Sequence, residues 1–206
     1  MFFKKILLEL FGFKDRNDEA PGYSGTIDSF ASPVISDACA NDPWIQFMVF
    51  GTKPHGSSLE DILQFNRVTF DTHHDFIQWL FPNREASPIN PLAPLLCDLH
   101  VSAYAELPEL RASVEQSFGK FLSFLGLAAS EPGFSRAPDF EQGAQYWLSP
   151  LDHNHRRISR VLTFLCEIGR NEMAVAMLAY FEDELSQANL SWIEALPYWK
   201  AILAEK

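Results

Sequence analysis

The stretch PELRASVEQSFGKFLSFL, residues 108–125, decides the fold class. Leu110, Val114, Phe118, Phe121, Leu122 and Leu125 recur at three- and four-residue spacing, which lines them along one side of a helix. Pro108 suits a first helical turn, where its missing N–H has no bond to lose, and Gly126 supplies the stop. A helix with so continuous an apolar face belongs at the centre of a core.

Working outward, residues 153–168 carry Ile158, Val161, Leu162, Leu165 and Cys166 on one stripe, with Asp152 as the cap and Gly169 as the stop. A further helix runs from Asn171 to about Gln187. The turn Gly169-Arg170-Asn171 is so short that these two must form an antiparallel hairpin. Shorter helices are expected at about 42–50, 58–66, 72–81 and 139–148. A last one, near 191–204, opens on Ser191 and Glu194 in capping-box spacing and is interrupted by Pro197. Sustained two-residue alternation rich in β-branched residues is missing, and so is any repeat of fixed period. The expectation is an all-α fold, a single-domain irregular bundle of about seven to nine helices spanning residues 26–206.

The chain has 206 residues, 47% of them apolar, enough for a continuous core. Sixteen basic residues against 27 acidic ones give a formal net charge of −11, which repels phosphate backbones and argues against nucleic acid as a partner. The three cysteines, Cys39, Cys97 and Cys166, form no C-x-x-C pair and suggest neither a disulfide framework nor a zinc site. A reducing cytoplasm is the expected location. Ahead of the bundle, residues 1–13, MFFKKILLELFGF, read as an amphipathic helix, with Phe2, Phe3, Ile6, Leu7, Leu10 and Phe11 opposite Lys4, Lys5 and Glu9. Glu9 breaks the apolar run that a signal peptide needs. This helix either packs on the core or docks on a partner protein or a membrane surface, which would make the protein peripheral to that membrane. Residues 14–25, KDRNDEAPGYSG, are a polar linker or loop.

Few stretches carry a signature of chemistry. Gly51–Ser58, GTKPHGSS, has the glycine spacing of a phosphate-binding loop, but Ser57 stands where the phosphate-contacting lysine belongs. His73 and His74 lie beside Asp71 and Asp75, and His153 and His155 follow Asp152. Imidazole with carboxylate suits acid–base work, and His74 and His153 are the candidate catalytic residues. No metal and no cofactor are expected. The aromatic run 76–82, FIQWLFP, reads as core, while Asn83, Arg84, Glu85 and Asn90 after it form a polar loop. Arg156, Arg157 and Arg160 read as a basic cluster on the exposed side of their helix, suited to a carboxylate.

Leu59-Glu60-Asp61-Ile62, the run HHDFIQWLFPNRE at 73–85 and Asn90-Pro91 together resemble the conserved amino-terminal domain of the opioid growth factor receptor family, with its H-x-Y-I-Q-W-L-F-P-x-R-E core. A second block, HNHRRISRVL at 153–162 continuing to Glu167-Ile168-Gly169, is similar to that family's H-N-x-x-R-I-T-R-I-L…E-L-G stretch. The resemblance covers roughly residues 42–190. It implies kinship with proteins whose named role in animals is binding the pentapeptide Met-enkephalin and restraining cell proliferation. It supplies no catalytic set, and the chain looks more like the short single-domain prokaryotic and fungal relatives.

Both lines of reasoning point to the same residues. His74, Gln78, Trp79, Arg84 and Glu85 from the first block and His153, Asn154, Arg157 and Arg160 from the second are expected to face each other as one ligand-binding site. The expected function is a binding module for a peptide or small anionic ligand. The alternatives are an enzyme of unassigned class using a His/Asp/Arg site, or an adaptor working through residues 1–13.

Overall fold

The stripe of residues 108–125 folds as the longest helix among the described residues, and elements from both sides of it in the chain pack against it. The computed structural model describes Cys39 and residues 41–54, 56–131 and 133–204; the helix expected at 1–13 and the linker at 14–25 lie outside them. Within the described residues the elements are α1 (Pro43–Phe50), α2 (Leu59–Leu63), α3 (Arg67–Thr72), α4 (Ile77–Leu80), α5 (Asp98–Glu106), α6 (Pro108–Leu125), β1 (Leu127–Ser130), β2 (Gly133–Arg136), α7 (Phe140–Ala144), α8 (Asn154–Glu167), α9 (Asn171–Gln187) and α10 (Ala195–Ala204). The fold is all-α apart from one small hairpin.

Leu110, Val114, Phe118, Phe121, Leu122 and Leu125 are all buried, as their spacing requires. Helix α6 packs on α1, α2, α5 and α7, while α8, α9 and α10 pack on one another. The core is continuous from Trp44 to Trp199. Trp44, Trp147 and Trp199 are fully buried, and each indole N–H finds an acceptor: Trp79 O at 2.8 Å, Leu125 O at 3.0 Å and Ser159 Oγ at 3.0 Å. These bonds remove the cost of burying a polar tip inside a large apolar side chain. Gly169, at φ 80°, ends α8, and Arg170 N donates to Leu165 O at 2.7 Å, which turns the chain directly into α9.

The structure corrects several boundaries and finds ten helices among the described residues. The helix expected at 72–81 is two elements, because His73–Phe76 leave the helical path between α3 and α4. Helix α5 has apolar residues around much of its circumference and so lacks the one-sided stripe that periodicity detects. Helix α10 starts at Ala195, which places Pro197 in the first turn, where a missing N–H interrupts nothing. In the hairpin, Leu127 pairs with Arg136 and Ser130 with Gly133; four residues per strand, with Leu127 and Ala129 inward on one and Phe134 packed on Phe118 from the other, are too few to register as alternation. Gly51–Ser58 does not act as a phosphate loop: Ser58 and Asp61 form the capping box of α2, with Ser58 N donating to Asp61 Oδ2 at 2.8 Å, and Lys53 pairs with Asp61 at 2.7 Å.

Helix ends are closed by cations from other elements. Arg67 Nε donates to Phe124 O at 3.2 Å and its Nη2 to Ser123 O at 2.7 Å, covering the last turn of α6, while Asp139 pairs with the same Nη2 at 2.7 Å. Arg111 does the same for α5 through Tyr104 O and Ala105 O, and the Lys120 ammonium donates to Phe65 O beyond α2. Such carbonyls have no partner within their own helix and carry the negative end of its dipole.

The junction of α6 and α7 sets the tightest steric limit. A Cβ on Gly143 would lie 2.1 Å from Gly126 N and 2.3 Å from Leu125 C, and one on Gly126 would lie 2.8 Å from Phe140 O. Gly143→Ala is expected to cost about 3 kcal/mol in chemical denaturation, because two backbones must separate. Gly51→Ala, in open space at φ 72°, should cost only the left-handed strain of about 1 kcal/mol.

Candidate functional site

The two sequence blocks meet. Helix α8 lies across the C-terminal end of α3, and Arg157 joins them: its Nη1 donates to Phe70 O at 2.7 Å, and its Nη2 to Asp71 O at 3.0 Å and His73 O at 2.6 Å. Its guanidinium carbon also sits 5.9 Å from the Phe70 ring centroid and 5.6 Å from that of Phe76. Arg157 is only 5% exposed, so its expected place on an exposed face is corrected: it closes the end of α3. Burial pulls its pKa down to about 10, against the opposing pull of Asp71 and Asp152, and it remains a cation at neutral pH. Arg160 works in the same way one turn on, donating to Phe81 O at 3.2 Å beyond α4. Burial lowers its pKa as well, with Glu167 acting against the shift. Arg156, the residue before Arg157, is exposed, and its side chain makes no hydrogen bond or ion pair among the described residues.

Behind α8 a second set of bonds locks the same junction. Asn154 is fully buried; its Nδ2 donates to Asp71 Oδ1 at 2.8 Å, and its backbone N–H donates to Asp152 Oδ1 at 2.8 Å. His153 Nε2 lies 3.1 Å from the same Asp71 Oδ1, and Nδ1 lies 3.6 Å from Asp152 Oδ1. The His153 and His74 rings meet edge to face with centroids 5.3 Å apart. Partial burial, then the charges of Arg157 and His153, push the His74 imidazole below its ordinary value, Asp71 opposing. The other histidines take different parts. His73, expected beside His74 on a helix, lies in the loop and bonds Thr69 O at 2.9 Å, and His155 is buried against Trp199 with Nε2 2.7 Å from Trp147 O.

Between α8 and the 73–90 segment runs a cleft of about 530 Å³, lined by His74, Gln78, His153, Arg156, Arg157 and Arg160, with Ile77, Ile89, Ser159 and Thr163 among the other residues on its walls. No carboxylate lines it. Gln78 is 4% exposed, and its side-chain oxygen has no hydrogen-bond partner among the described residues. Asn90 closes the loop that forms one wall, donating through Nδ2 to Asp75 O at 2.7 Å. The arrangement can hold a negatively charged group among guanidinium and imidazole donors. No group of three or more His, Cys, Asp or Glu side chains among the described residues is placed to hold a metal ion.

Four expected site residues do not line the cleft. Asn154 is bonded within the framework, as above. Trp79 packs on Phe47, ring centroids 5.5 Å apart, and borders a separate hollow of about 220 Å³ beneath the 51–58 loop. Arg84 pairs with Asp98 at 2.7 Å, and Glu85 is exposed in the loop after α4. Sequence reasoning passed over Ser159 and Thr163, although their spacing from Arg156 places all three along one side of α8.

Two outcomes check this reading. Arg157→Ala should lose about 3 kcal/mol in urea denaturation, because one buried and two partly buried carbonyls lose a charged donor, whereas Arg156→Ala should stay within about 0.5 kcal/mol of the parent. The second concerns pH. His74 titrates below its ordinary 6.5, so on acidification the unfolded chain protonates first. The stability present above pH 6.5 is therefore lost as pH falls through the folded-state value of His74, and His74→Gln should flatten that part of the denaturation-midpoint profile.

Comparison with known proteins accounts for the two blocks. Residues 45–206 match the family described as the opioid growth factor receptor (OGFr) conserved region. The rat opioid growth factor receptor is 32% identical over 138 residues, 64% of this chain and 23% of that protein. The human receptor is 30% identical over 137 residues, 64% of this chain and 20% of its own length. Opioid growth factor receptor-like protein 1 of Xenopus tropicalis is 30% identical over 142 residues, 66% of this chain and 27% of its own. The chain thus spans roughly a quarter of the curated relatives it matches. No solved structure matches it. With most of its described residues inside the matched region, the chain belongs to the opioid growth factor receptor family.

Proposed function

We propose that this chain is a binding module that holds a peptide or small anionic ligand in the cleft between α8 and the 73–90 segment. One observation carries the proposal: on a chain of net charge −11, a cleft of about 530 Å³ collects three arginines and two histidines and no carboxylate. That volume suits a short peptide or a small molecule. Arg157 and Arg160 already serve helix ends, so Arg156 is the free guanidinium, placed to pair with a ligand carboxylate. Gln78 offers its amide to a peptide bond, and Ile77 and Ile89 offer apolar surface. The name of the rat and human relatives, a growth factor receptor, favours a peptide. No helix among the described residues is long and apolar enough to cross a membrane.

A second reading rests on the edge-to-face pair of His74 and His153 with Asp71 behind His153. It makes the same cleft an acid–base site, with His74 as the base.

Calorimetric titration with Met-enkephalin and its C-terminal amide distinguishes these readings. The binding-module reading expects the free carboxylate form to bind at least about tenfold more tightly than the amide, with Arg156→Ala removing the difference. Equal affinities for the two forms, or an unchanged affinity in Arg156→Ala, would contradict it. Conversion of the peptide during the titration, abolished by His74→Gln, would favour the second reading.

A further inference from the structure

Arg156 stands on a ridge with a hollow on each side. One hollow is the cationic cleft. The other is a groove of about 610 Å³ between α8 and α10, whose wall includes Leu151, Ala195, Tyr198, Ala201 and Ile202. Arg156 and Ser159 line both. At about 100° per residue, Asp152, His155 and Ser159 fall on the α10 side of α8, His153, Arg157 and Arg160 fall toward the 73–90 segment, and Arg156 lies between the two sets. The groove therefore continues from the cleft across a single guanidinium.

The two hollows differ in chemistry. Polar groups on the floor of the groove are already bonded: Ser159 Oγ accepts from Trp199 Nε1 at 3.0 Å and donates to His155 O at 3.1 Å, and His155 Nε2 lies 2.7 Å from Trp147 O. Asp152 Oδ1 accepts from Asn154 N at 2.8 Å. What stays open is largely hydrocarbon, with Leu151 85% and Tyr198 69% exposed and Ile202 half-buried beside them. Among the described residues, Arg156 is the one lysine or arginine on the groove wall, against the carboxylates of Asp152 and Glu194. A ligand carboxylate is drawn to Arg156, and a second negative charge further along the groove is repelled. The cleft, in contrast, has guanidinium and imidazole donors and the buried Gln78 oxygen, which has no partner among the described residues. A peptide main chain needs partners for its N–H and C=O groups and finds them in the cleft, whereas an apolar side chain needs none and suits the groove.

We propose that the α8–α10 groove is the side-chain subsite for the ligand of the cleft, and that the ligand is a peptide ending in a large, uncharged apolar residue. This inference rests on the binding-module reading and adds a specificity to it. The carboxylate and the side chain of a terminal residue branch from one α-carbon. With the carboxylate on Arg156, the main chain runs back into the cleft past Gln78 while the side chain turns across the ridge and lies against Leu151, Tyr198 and Ile202. The groove thereby sets which terminal residue is preferred, and Arg156 sets that the residue is terminal.

The test is calorimetric titration of the full chain with the pentapeptides Tyr-Gly-Gly-Phe-X, each with a free C-terminal carboxylate, X being Met, Leu, Ala or Glu. The Met and Leu peptides should bind about tenfold more tightly than the Ala peptide, and the Glu peptide no better than Ala. Ala201 is exposed on α10. Ala201→Trp fills the groove, and with folding verified by circular dichroism it should bring the Met peptide to the affinity of the Ala peptide. If that variant fails to fold, the ranking of the four peptides by the parent decides. Equal affinities for Met, Leu and Ala, with the carboxylate still preferred over the amide, would overturn the subsite and leave the binding-module reading standing. A Glu peptide that binds most tightly, or a Met-to-Ala difference that persists in folded Ala201→Trp, would also overturn the subsite. Equal binding of the Met peptide and its amide, or no binding of either, would overturn the subsite together with the reading beneath it.

Discussion

Guanidinium groups on buried helix C-termini are the interaction on which this structure depends. Helices α3 and α4 have six and four residues, too short to be stable alone, and their terminal carbonyls face protein rather than water. Each needs a donor from elsewhere, and α8 supplies both: Arg157 to Phe70 O, Asp71 O and His73 O, and Arg160 to Phe81 O. A single planar fork with five N–H groups can serve three carbonyls at once, which an ammonium cannot do with the same geometry. The desolvation of Arg157 is the cost of that arrangement, and the carbonyl bonds, the aromatic rings and the nearby Asp71 and Asp152 offset it.

The cleft is a by-product of this bracing. Because α8 must lie against the ends of α3 and α4 to deliver its arginines, the 73–90 segment is held alongside it, and the gap between them is walled by whichever side chains the bracing leaves over. Arg156 is left without an internal acceptor, Gln78 is left with an unpaired oxygen, and His74 and His153 meet edge to face on its wall. An acidic chain thereby acquires a local cationic surface from the basic run at residues 155–160.

This division of labour also governs what could be read in advance. Helices α6, α8 and α9 are long enough for their apolar period to stand out, and their stops at Gly126 and Gly169 are chemical signals in themselves. The break at His73–Phe76 carries no such signal, since nothing local forbids the helix from continuing; it follows from Arg157 taking the α3 carbonyls from 84 residues away in the chain. The meeting of the histidine groups was legible from the two motif blocks, but the side of each helix was not. Trp79 looks like its neighbours in an aromatic run, yet Phe47 draws it to the opposite face, and Asp98 draws Arg84 away from the cleft. Arg157 and Arg160 look like surface cations because their acceptors are backbone carbonyls, which leave no trace in a side-chain pattern.

The central claim is that α8 carries two kinds of arginine, one structural and one free for a ligand. Nitrogen-detected NMR of the arginine side chains, recorded with and without Met-enkephalin, tests it most directly. The account predicts that the Arg157 guanidinium is protected from solvent exchange in the free protein and unmoved by peptide, while the Arg156 resonance exchanges freely and shifts on addition. A rapidly exchanging Arg157, or a ligand response at Arg157 with none at Arg156, would contradict it.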